Sequence, residues 1–248
     1  MSQLFLLTWF AVLCIPCLGA PGDWQRFVPS LLSESGRQRD SALESLRRYP
    51  GIEAALREAV RSGEGRTAAL EVIGALKLVS ITPDLIQTAK VQPRTDLFVT
   101  LNTLIAEGAE SPGLANFYRE QLIRRNEATP AGAVLAMLDG LRSMGGELDV
   151  PVLEGLIVDS NSQIRLGTLH YAAKFLKQEK RPEYLSILIS ALAATPHQVR
   201  LEAAMLLDSI PHGRKQAVRL AAQRCLNDAY PEVKAACRRL MERRRAGE

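Results

Sequence analysis

The feature that most constrains the fold is a phrase that occurs three times between Asp159 and Met241. It reads Asp-Ser-Asn-Ser-Gln-Ile-Arg, then Ala-Thr-Pro-His-Gln-Val-Arg, and then Asp-Ala-Tyr-Pro-Glu-Val-Lys. A β-branched residue followed by a base recurs at residues 164, 199 and 233, which are 35 and 34 residues apart. Self-similarity at such a period indicates stacked repeats, in which each unit covers the apolar face of the next.

Each phrase has the composition of a helix start. Thr195 and Pro196, for example, offer a hydroxyl for the N-cap and a proline for the first helical position. Small or apolar residues then follow at helical spacing. These stripes are Ile164, Thr168, Tyr171 and Phe175; Val199, Ala203, Leu206 and Ile210; and Val233, Cys237 and Leu240. Because apolar segments at 181–194 and 213–226 precede two of these helices, the repeating unit is a helix, a short turn and a second helix.

The spacing of charged residues in the phrase resembles that of the HEAT-repeat family. Asp159 precedes Arg165 by six residues, and Asp228 precedes Lys234 by six, whereas Ala194 takes this place in the middle repeat. The resemblance covers about the last 90 residues well. Together with the apolar N-terminus described below, it leads us to expect a secreted bacterial member of that family. It implies that second helices line the concave side of a HEAT-like superhelix. We assign a ladder of bonds between repeats to Asp159, Arg165, Arg200, Asp228 and Lys234.

Weaker helix pairs precede the clear repeats. The paired segments are 52–61 with 66–79, 83–91 with 94–106, 114–125 with 130–144, and 150–158 with 162–177. We therefore predict an all-α fold, an α-solenoid of about six to seven antiparallel helix pairs. The predicted organisation is a signal peptide at 1–19, N-terminal capping helices at 20–49 and a HEAT-like repeat domain at 50–248.

The first twenty residues differ from the rest of the chain. Leu4 to Cys17 is apolar except for Thr8, and the first charged residue is Asp23. An apolar run of this length is typical of a secretory signal peptide. We expect cleavage after Gly19 and a secreted or periplasmic protein, with an uncleaved anchor or a lipidated cysteine as alternatives. Cys225 and Cys237 would then remain, either as a disulfide in an oxidising compartment or as two small buried apolar residues.

The sequence offers no catalytic constellation. The three histidines show no His-Glu-x-x-His spacing, and there is neither a Gly-x-Ser-x-Gly motif nor a phosphate-binding glycine loop. We therefore expect no catalytic residue, no metal site and no cofactor.

Positive charge is concentrated at the C-terminus. The 53 residues from Pro196 onwards hold 11 Lys and Arg against 6 Asp and Glu, whereas the remaining residues hold 20 against 21. Two interpretations stay open: a solvated capping helix whose bases interact with the helix dipole, or a patch for an anionic surface. Because the basic excess is confined to one tip and the chain is expected to be secreted, we expect no nucleic-acid partner.

Aligning the repeats places several residues between the buried stripe and solvent. We predict that a protein or peptide contacts His170, Lys174, Glu202, Met205, Arg239 and Arg243. The favoured function is a non-enzymatic extracytoplasmic scaffold that binds its partner on the concave face. One alternative is an assembly factor at the envelope or membrane surface that uses the basic C-terminal helix. The other is a HEAT-fold enzyme, because bilin lyases resemble this repeat and some DNA glycosylases use similar helix pairs.

Overall fold

A computed structural model describes residues 23–108, 112–210 and 216–242 of the chain. The predicted signal peptide at 1–19 and Arg243 lie outside these residues. The described parts consist of α-helices, short 3-10 turns and connecting loops, with no strand among them. The chain divides into two compact units, one ending at Leu76 and the other beginning at Lys77. This division lies further along the chain than the predicted boundary between residues 49 and 50.

The first unit is a small cluster of helices. After a 3-10 turn at Asp23–Phe27, it comprises α1 (Val28–Leu31), α2 (Gly36–Arg47), α3 (Ile52–Ser62) and α4 (Arg66–Leu76). Helix α4 packs against the other three. Trp24 is buried, and so is Arg66, whose Nε donates a hydrogen bond to the carbonyl of Val60 at 2.9 Å.

Within its described residues, the second unit contains five consecutive helix pairs. They are α5 (Thr82–Val91) with α6 (Thr95–Ala106), α7 (Pro112–Arg124) with α8 (Ala131–Met144), α9 (Val150–Ile157) with α10 (Ser162–Lys177), α11 (Leu185–Ala191) with α12 (His197–Ser209), and α13 (Gln216–Cys225) with α14 (Pro231–Glu242). Each second helix also packs against the second helix of the next pair, from α6 through to α14. The predicted all-α fold of stacked helix pairs is therefore confirmed.

The apolar stripes explain why the pairs stack. Every stripe residue predicted on α10, α12 and α14 is buried, including the polar Thr168. Its hydroxyl donates a hydrogen bond to the carbonyl of Ile164 at 2.8 Å, which satisfies the polar group inside the stack. The equivalent positions of the other two clear repeats hold Ala203 and Cys237, which are also buried. All three side chains are small, which allows a neighbouring helix to pack closely at this position.

The start of α12 corrects one detail of the sequence analysis. The helix begins at His197 with Pro196 as its N-cap residue, and no side chain caps it. The guanidinium of Arg200 instead donates Nη1 hydrogen bonds to the carbonyls of Ala194 and Thr195, at 2.7 and 2.8 Å. The base of the phrase therefore stabilises this turn, because a charged donor bonds the turn carbonyls where no hydroxyl caps the helix. In α10 the cap is a side chain, since Asn161 accepts from the backbone N–H of Gln163.

Gly140 lies on α8, at a crowded junction with α6 and α7. A Cβ at this position would lie 2.3 Å from Oδ1 of Asn102 and 2.3 Å from Cε2 of Tyr118. Neither side chain can move freely, because Tyr118 is fully buried and its hydroxyl donates to Asn102 Oδ1 at 2.9 Å. We expect Gly140→Ala to lower the free energy of unfolding by about 2 kcal/mol, as overpacking of a filled core does. Urea denaturation followed by circular dichroism measures this change.

Gly155 provides the matched control within the same unit. It lies inside α9 and is exposed, and a Cβ there would meet only Nη2 of Arg125 at an ordinary 3.8 Å. Gly155→Ala should therefore stabilise the protein by roughly 0.5–1 kcal/mol through helix propensity. Equal effects of the two substitutions would contradict the steric account.

Candidate functional site

The second helices α8, α10, α12 and α14 present a continuous row of side chains at their solvent side. Each helix packs on the next, so residues beside the buried stripes of neighbouring helices become neighbours in space. We call this row the second-helix face. It consists of Asp139, Arg142, His170, Lys174, Glu202, Met205, Asp208, Arg239 and Glu242.

A cleft of about 220 Å³ separates α8 from α10 on this face. It is lined by Leu135, Leu138, Asp139, Arg142, Gly167, His170 and Tyr171. Asp139 and Arg142 form an ion pair one turn apart on α8. The ammonium of Lys174 donates a hydrogen bond to the carbonyl of Arg142, near the C-terminal end of α8. Lys174 therefore connects α10 to α8 and compensates the negative end of the α8 dipole.

The next step along the face joins α10 to α12. His170 Nε2 lies 3.4 Å from the carboxylate of Glu202, and both side chains remain partly accessible to solvent. Two residues that were predicted from different repeats are thus brought into contact. Each still has polar atoms available to a partner, because an imidazole and a carboxylate each carry more than one hydrogen-bonding site.

A wider cleft of about 380 Å³ separates α12 from α14. It is lined by Ala204, Met205, Asp208, Ala236, Arg239 and Glu242. Met205 is 49% exposed although it is a large apolar residue. Flexible methionines are common at protein-binding surfaces, because the thioether can adapt to different shapes.

The charge of the second-helix face is mixed. It holds four carboxylates and three bases, so the face is not a basic groove. Sequence reasoning assigned His170, Lys174, Glu202, Met205 and Arg239 to a binding surface, but it did not name three further acids of this face, which are Asp139, Asp208 and Glu242. Two of these, Asp208 and Glu242, are 34 residues apart, so the period of the repeat was a signal that could have identified them.

A bidentate ion pair joins the last two repeats. Arg200 on α12 donates from Nε and Nη2 to the two carboxylate oxygens of Asp228, at 2.6 and 2.9 Å. The side chains are only 14% and 6% exposed. The hydrogen bonds from Arg200 are the main reason that the pKa of Asp228 lies below its usual value. The base of one phrase therefore pairs with the acid of the following phrase.

The other predicted ladder residues have different partners. Arg165 was assigned to bonding between repeats, but its Nε donates to the backbone carbonyl of Asp159 within its own repeat. The physical reason is that the following phrase carries Ala194, which offers no carboxylate. The carboxylate of Asp159 instead lies 3.4 Å from Nη1 of Arg125, in the turn between α7 and α8. This pair was not predicted from the sequence. Lys234 belongs to α14, the last helix that the structure describes.

An aromatic contact supports the Arg200–Asp228 pair. The rings of His197 and Tyr230 stack with centroids 4.0 Å apart and an angle of 10° between their planes. The guanidinium of Arg200 lies 5.7 Å from the centre of the Tyr230 ring. This cluster was not predicted from the sequence, although each of its aromatic rings lies beside a proline at the start of a second helix.

Cys225 and Cys237 are joined by a disulfide in the structure. Their Cα atoms are 6.1 Å apart, and the bond connects the end of α13 to the middle of α14. It closes a loop around the turn that carries Asp228, so the last helix pair is held both covalently and through its ion pair to α12.

Over residues 23–108, 112–210 and 216–242, no three His, Cys, Asp or Glu side chains are grouped so that they could hold a metal ion. Within the same residues, no helix has the length and hydropathy needed to span a membrane.

Comparisons with known proteins rest on structure. No protein-family model and no curated protein sequence matches the chain. The crystal structure of Cex1p superposes with a TM-score of 0.61 at 18% sequence identity, covering 90% of this chain and 52% of Cex1p. The chain thus spans about half the length of that protein.

Two further structures are similar over most of the chain with lower scores. A designed armadillo repeat protein, solved in complex with the peptide (KR)4, is 14% identical over 90% of this chain and 99% of its own, with a TM-score of 0.44. The complex of CpcE and CpcF of phycocyanin lyase from Nostoc sp. PCC7120 is 17% identical over 96% of this chain and 99% of its own, with a TM-score of 0.41. At such identities and scores these two likenesses support no further conclusion. The packing of the described helices itself shows an all-α fold of stacked, HEAT-like helix pairs.

Proposed function

We propose that this chain is a non-enzymatic scaffold that binds a protein or peptide along the second-helix face and works outside the cytoplasm. The observation that carries the proposal is the continuity of the face across α8, α10, α12 and α14. Two clefts are joined there by the His170–Glu202 contact, with an exposed Met205 beside the wider one. A row of shallow clefts suits an extended partner better than a small molecule, which typically occupies one deep pocket.

The mixed charge of the face favours a partner with both acidic and basic side chains. Asp208 and Glu242 lie at the wider cleft together with Arg239, so a partner needs complementary charges of both signs. Such complementarity sets the register and selects the partner more than it adds affinity. Burial of Met205 and the apolar parts of the long side chains would supply most of the binding free energy.

The proposed compartment has two supports. One is the apolar run from Leu4 to Cys17, which has the composition of a secretory signal. The other is the Cys225–Cys237 disulfide, a bond that persists in oxidising compartments and is rare in the cytosol. Cell fractionation, combined with alkylation of the two thiols before and after reduction, tests this part of the proposal.

A photo-crosslinking amino acid at position 170 tests the binding face. We expect it to trap one discrete protein in the native cells, and we expect Met205→Asp to reduce this cross-link by at least tenfold. The physical reason is that a carboxylate in place of Met205 must be desolvated at the centre of the interface. Quantitative mass spectrometry of the cross-linked product measures both effects.

Leu220 supplies the matched control. It is 55% exposed, comparable to Met205, but it lies on α13, a first helix. Leu220→Asp should leave the cross-link from position 170 unchanged. An equal reduction by both substitutions, or recovery of small-molecule conjugates alone, would refute binding at the second-helix face.

A further inference from the structure

A third cleft lies away from the second-helix face, between the turns that join α5 to α6 and α7 to α8. Its volume is about 540 Å³, and it is open to solvent. The residues that line it are Lys90, Gln92, Pro93, Arg94, Gln121, Arg124, Arg125, Asn126, Ala128, Thr129, Pro130 and Met137. None of them belongs to the second-helix face.

The charge of this lining is entirely positive. Four of the residues are bases, two from each turn, and none is an acid. This is unexpected from the sequence, because residues 1–195 hold 20 bases and 21 acids. The stacking of the α5–α6 pair on the α7–α8 pair therefore brings four bases together, although residues 1–195 as a whole carry almost no net charge. Their fields add in the cleft, and an anionic ligand would be attracted to it.

The nearest carboxylates hold two of the bases in position and leave the other two available. Arg94 is paired with Asp96, at 3.1 Å from Nε and 2.7 Å from Nη2, and Arg125 lies 3.4 Å from Asp159. Arg124 is 73% exposed and reaches Glu120 only at 3.9 Å. Exposed pairs at that distance contribute little free energy.

Lys90 is exposed and has no ion pair within the parts of the chain that the structure describes. Lys90 and Arg124 come from different turns, so they offer one available base on each side of the cleft. A ligand that spans the cleft can therefore meet a base at both walls.

We propose that this cleft binds an acidic segment of a partner protein. Lys90 and Arg124 come from successive helix pairs, so a chain with several carboxylates can engage both of these available bases at once. The volume lies in the roughly 300–1,000 Å³ range of ligand clefts. The side-chain amides of Gln121 and Asn126 add hydrogen-bonding groups for a peptide backbone, and Pro93 and Pro130 provide apolar contacts between the charges.

Fluorescence anisotropy with the purified chain tests the proposal. The probe is a fluorescein-labelled hexapeptide, Glu-Glu-Leu-Glu-Glu-Leu, and its counterpart has Lys in place of Glu. We expect the acidic peptide alone to bind, with affinity that falls as salt rises from about 50 to 300 mM because screening weakens exposed charge pairs. We expect the double variant Lys90→Gln/Arg124→Gln to bind at least tenfold more weakly. Both substitutions are at exposed side chains, so we expect the variant to fold, and thermal melting checks this.

The double variant Lys177→Gln/Lys180→Gln is the matched control, because it removes the same charge from exposed positions at the end of α10. It should bind the acidic peptide like the unmodified chain. Equal weakening in both double variants would overturn the proposal, since binding would then follow net charge. Absence of peptide binding, with phosphatidylglycerol vesicles bound through Lys90 and Arg124 instead, would overturn it in favour of a membrane surface.

Discussion

Replacing Asp228 with alanine is expected to lower the free energy of unfolding by about 3 kcal/mol, the cost of leaving one partner of a buried ion pair without the other. Arg200 would keep its charge at a site where its side chain is only 14% exposed. The substitution also removes the acceptor of the Tyr230 backbone N–H, which lies 3.0 Å from Oδ1 of Asp228. Urea denaturation at pH 7, followed by circular dichroism, measures the change.

The same pair predicts a pH dependence with a definite sign. Hydrogen bonds from Arg200 lower the pKa of Asp228 in the folded state, so the folded protein holds the ionised form more strongly than the unfolded chain does. This contribution is fully present above the unfolded pKa of about 3.9 and is lost as pH falls through the lower folded value. The stability difference between the unmodified chain and Asp228→Ala should therefore shrink below about pH 4.

Glu120 provides the control for this prediction. Its carboxylate lies 3.9 Å from Arg124, and both side chains are more than half exposed. Glu120→Ala should change the free energy of unfolding by less than about 0.5 kcal/mol, as expected for a solvated pair one turn apart. If both substitutions had equally small effects, Arg200 and Asp228 would not be coupled as the geometry indicates.

Reduction of the Cys225–Cys237 disulfide is the second large expected effect. The two cysteines are separated by 12 residues, and closing a loop of that length restricts the unfolded chain by about 3 kcal/mol in the chain-entropy account. We expect reduction to increase hydrogen exchange in α13 and α14 by roughly a hundredfold, since each 1.4 kcal/mol corresponds to a factor of ten. Helices α6 to α10 should exchange as before, because repeats couple mainly to their neighbours.

The double variant Cys225→Ala/Cys237→Ala separates the effect of the bond from that of the reductant. It should resemble the reduced protein and should not respond to further reductant. Unchanged exchange in α13 and α14 after complete reduction, confirmed by alkylation, would show that packing alone holds the last helix pair.

The repeat architecture could be predicted from sequence because its signals are local. The recurrence at 164, 199 and 233 places an apolar stripe on each second helix, and a stripe that cannot be buried within one helix pair requires a neighbour. The burial of Ile164, Val199 and Val233 follows from this requirement.

The partners of charged residues were harder to predict. The six-residue spacing between Asp159 and Arg165 predicted that both belong to the ladder of bonds between repeats. In the structure, however, Arg165 donates to a backbone carbonyl, and the carboxylate of Asp159 lies beside Arg125. A long guanidinium side chain can reach several acceptors within a few ångströms. Which acceptor it bonds depends on the groups that the neighbouring turn places within reach, and only the tertiary structure determines their positions.

The amino-acid sequence alone determined the all-α fold, the period of its repeats and the residues that stack them, because helix formation and apolar periodicity act over one or two turns. Only the tertiary structure decided that His170 meets Glu202, that His197 stacks on Tyr230 and that Lys90 shares a cleft with Arg124. These pairs are about 30 residues apart along the chain. They become neighbours because successive repeats lie side by side. Which side chains meet between two repeats depends on the rotation between the helix pairs, and no short stretch of sequence encodes that rotation.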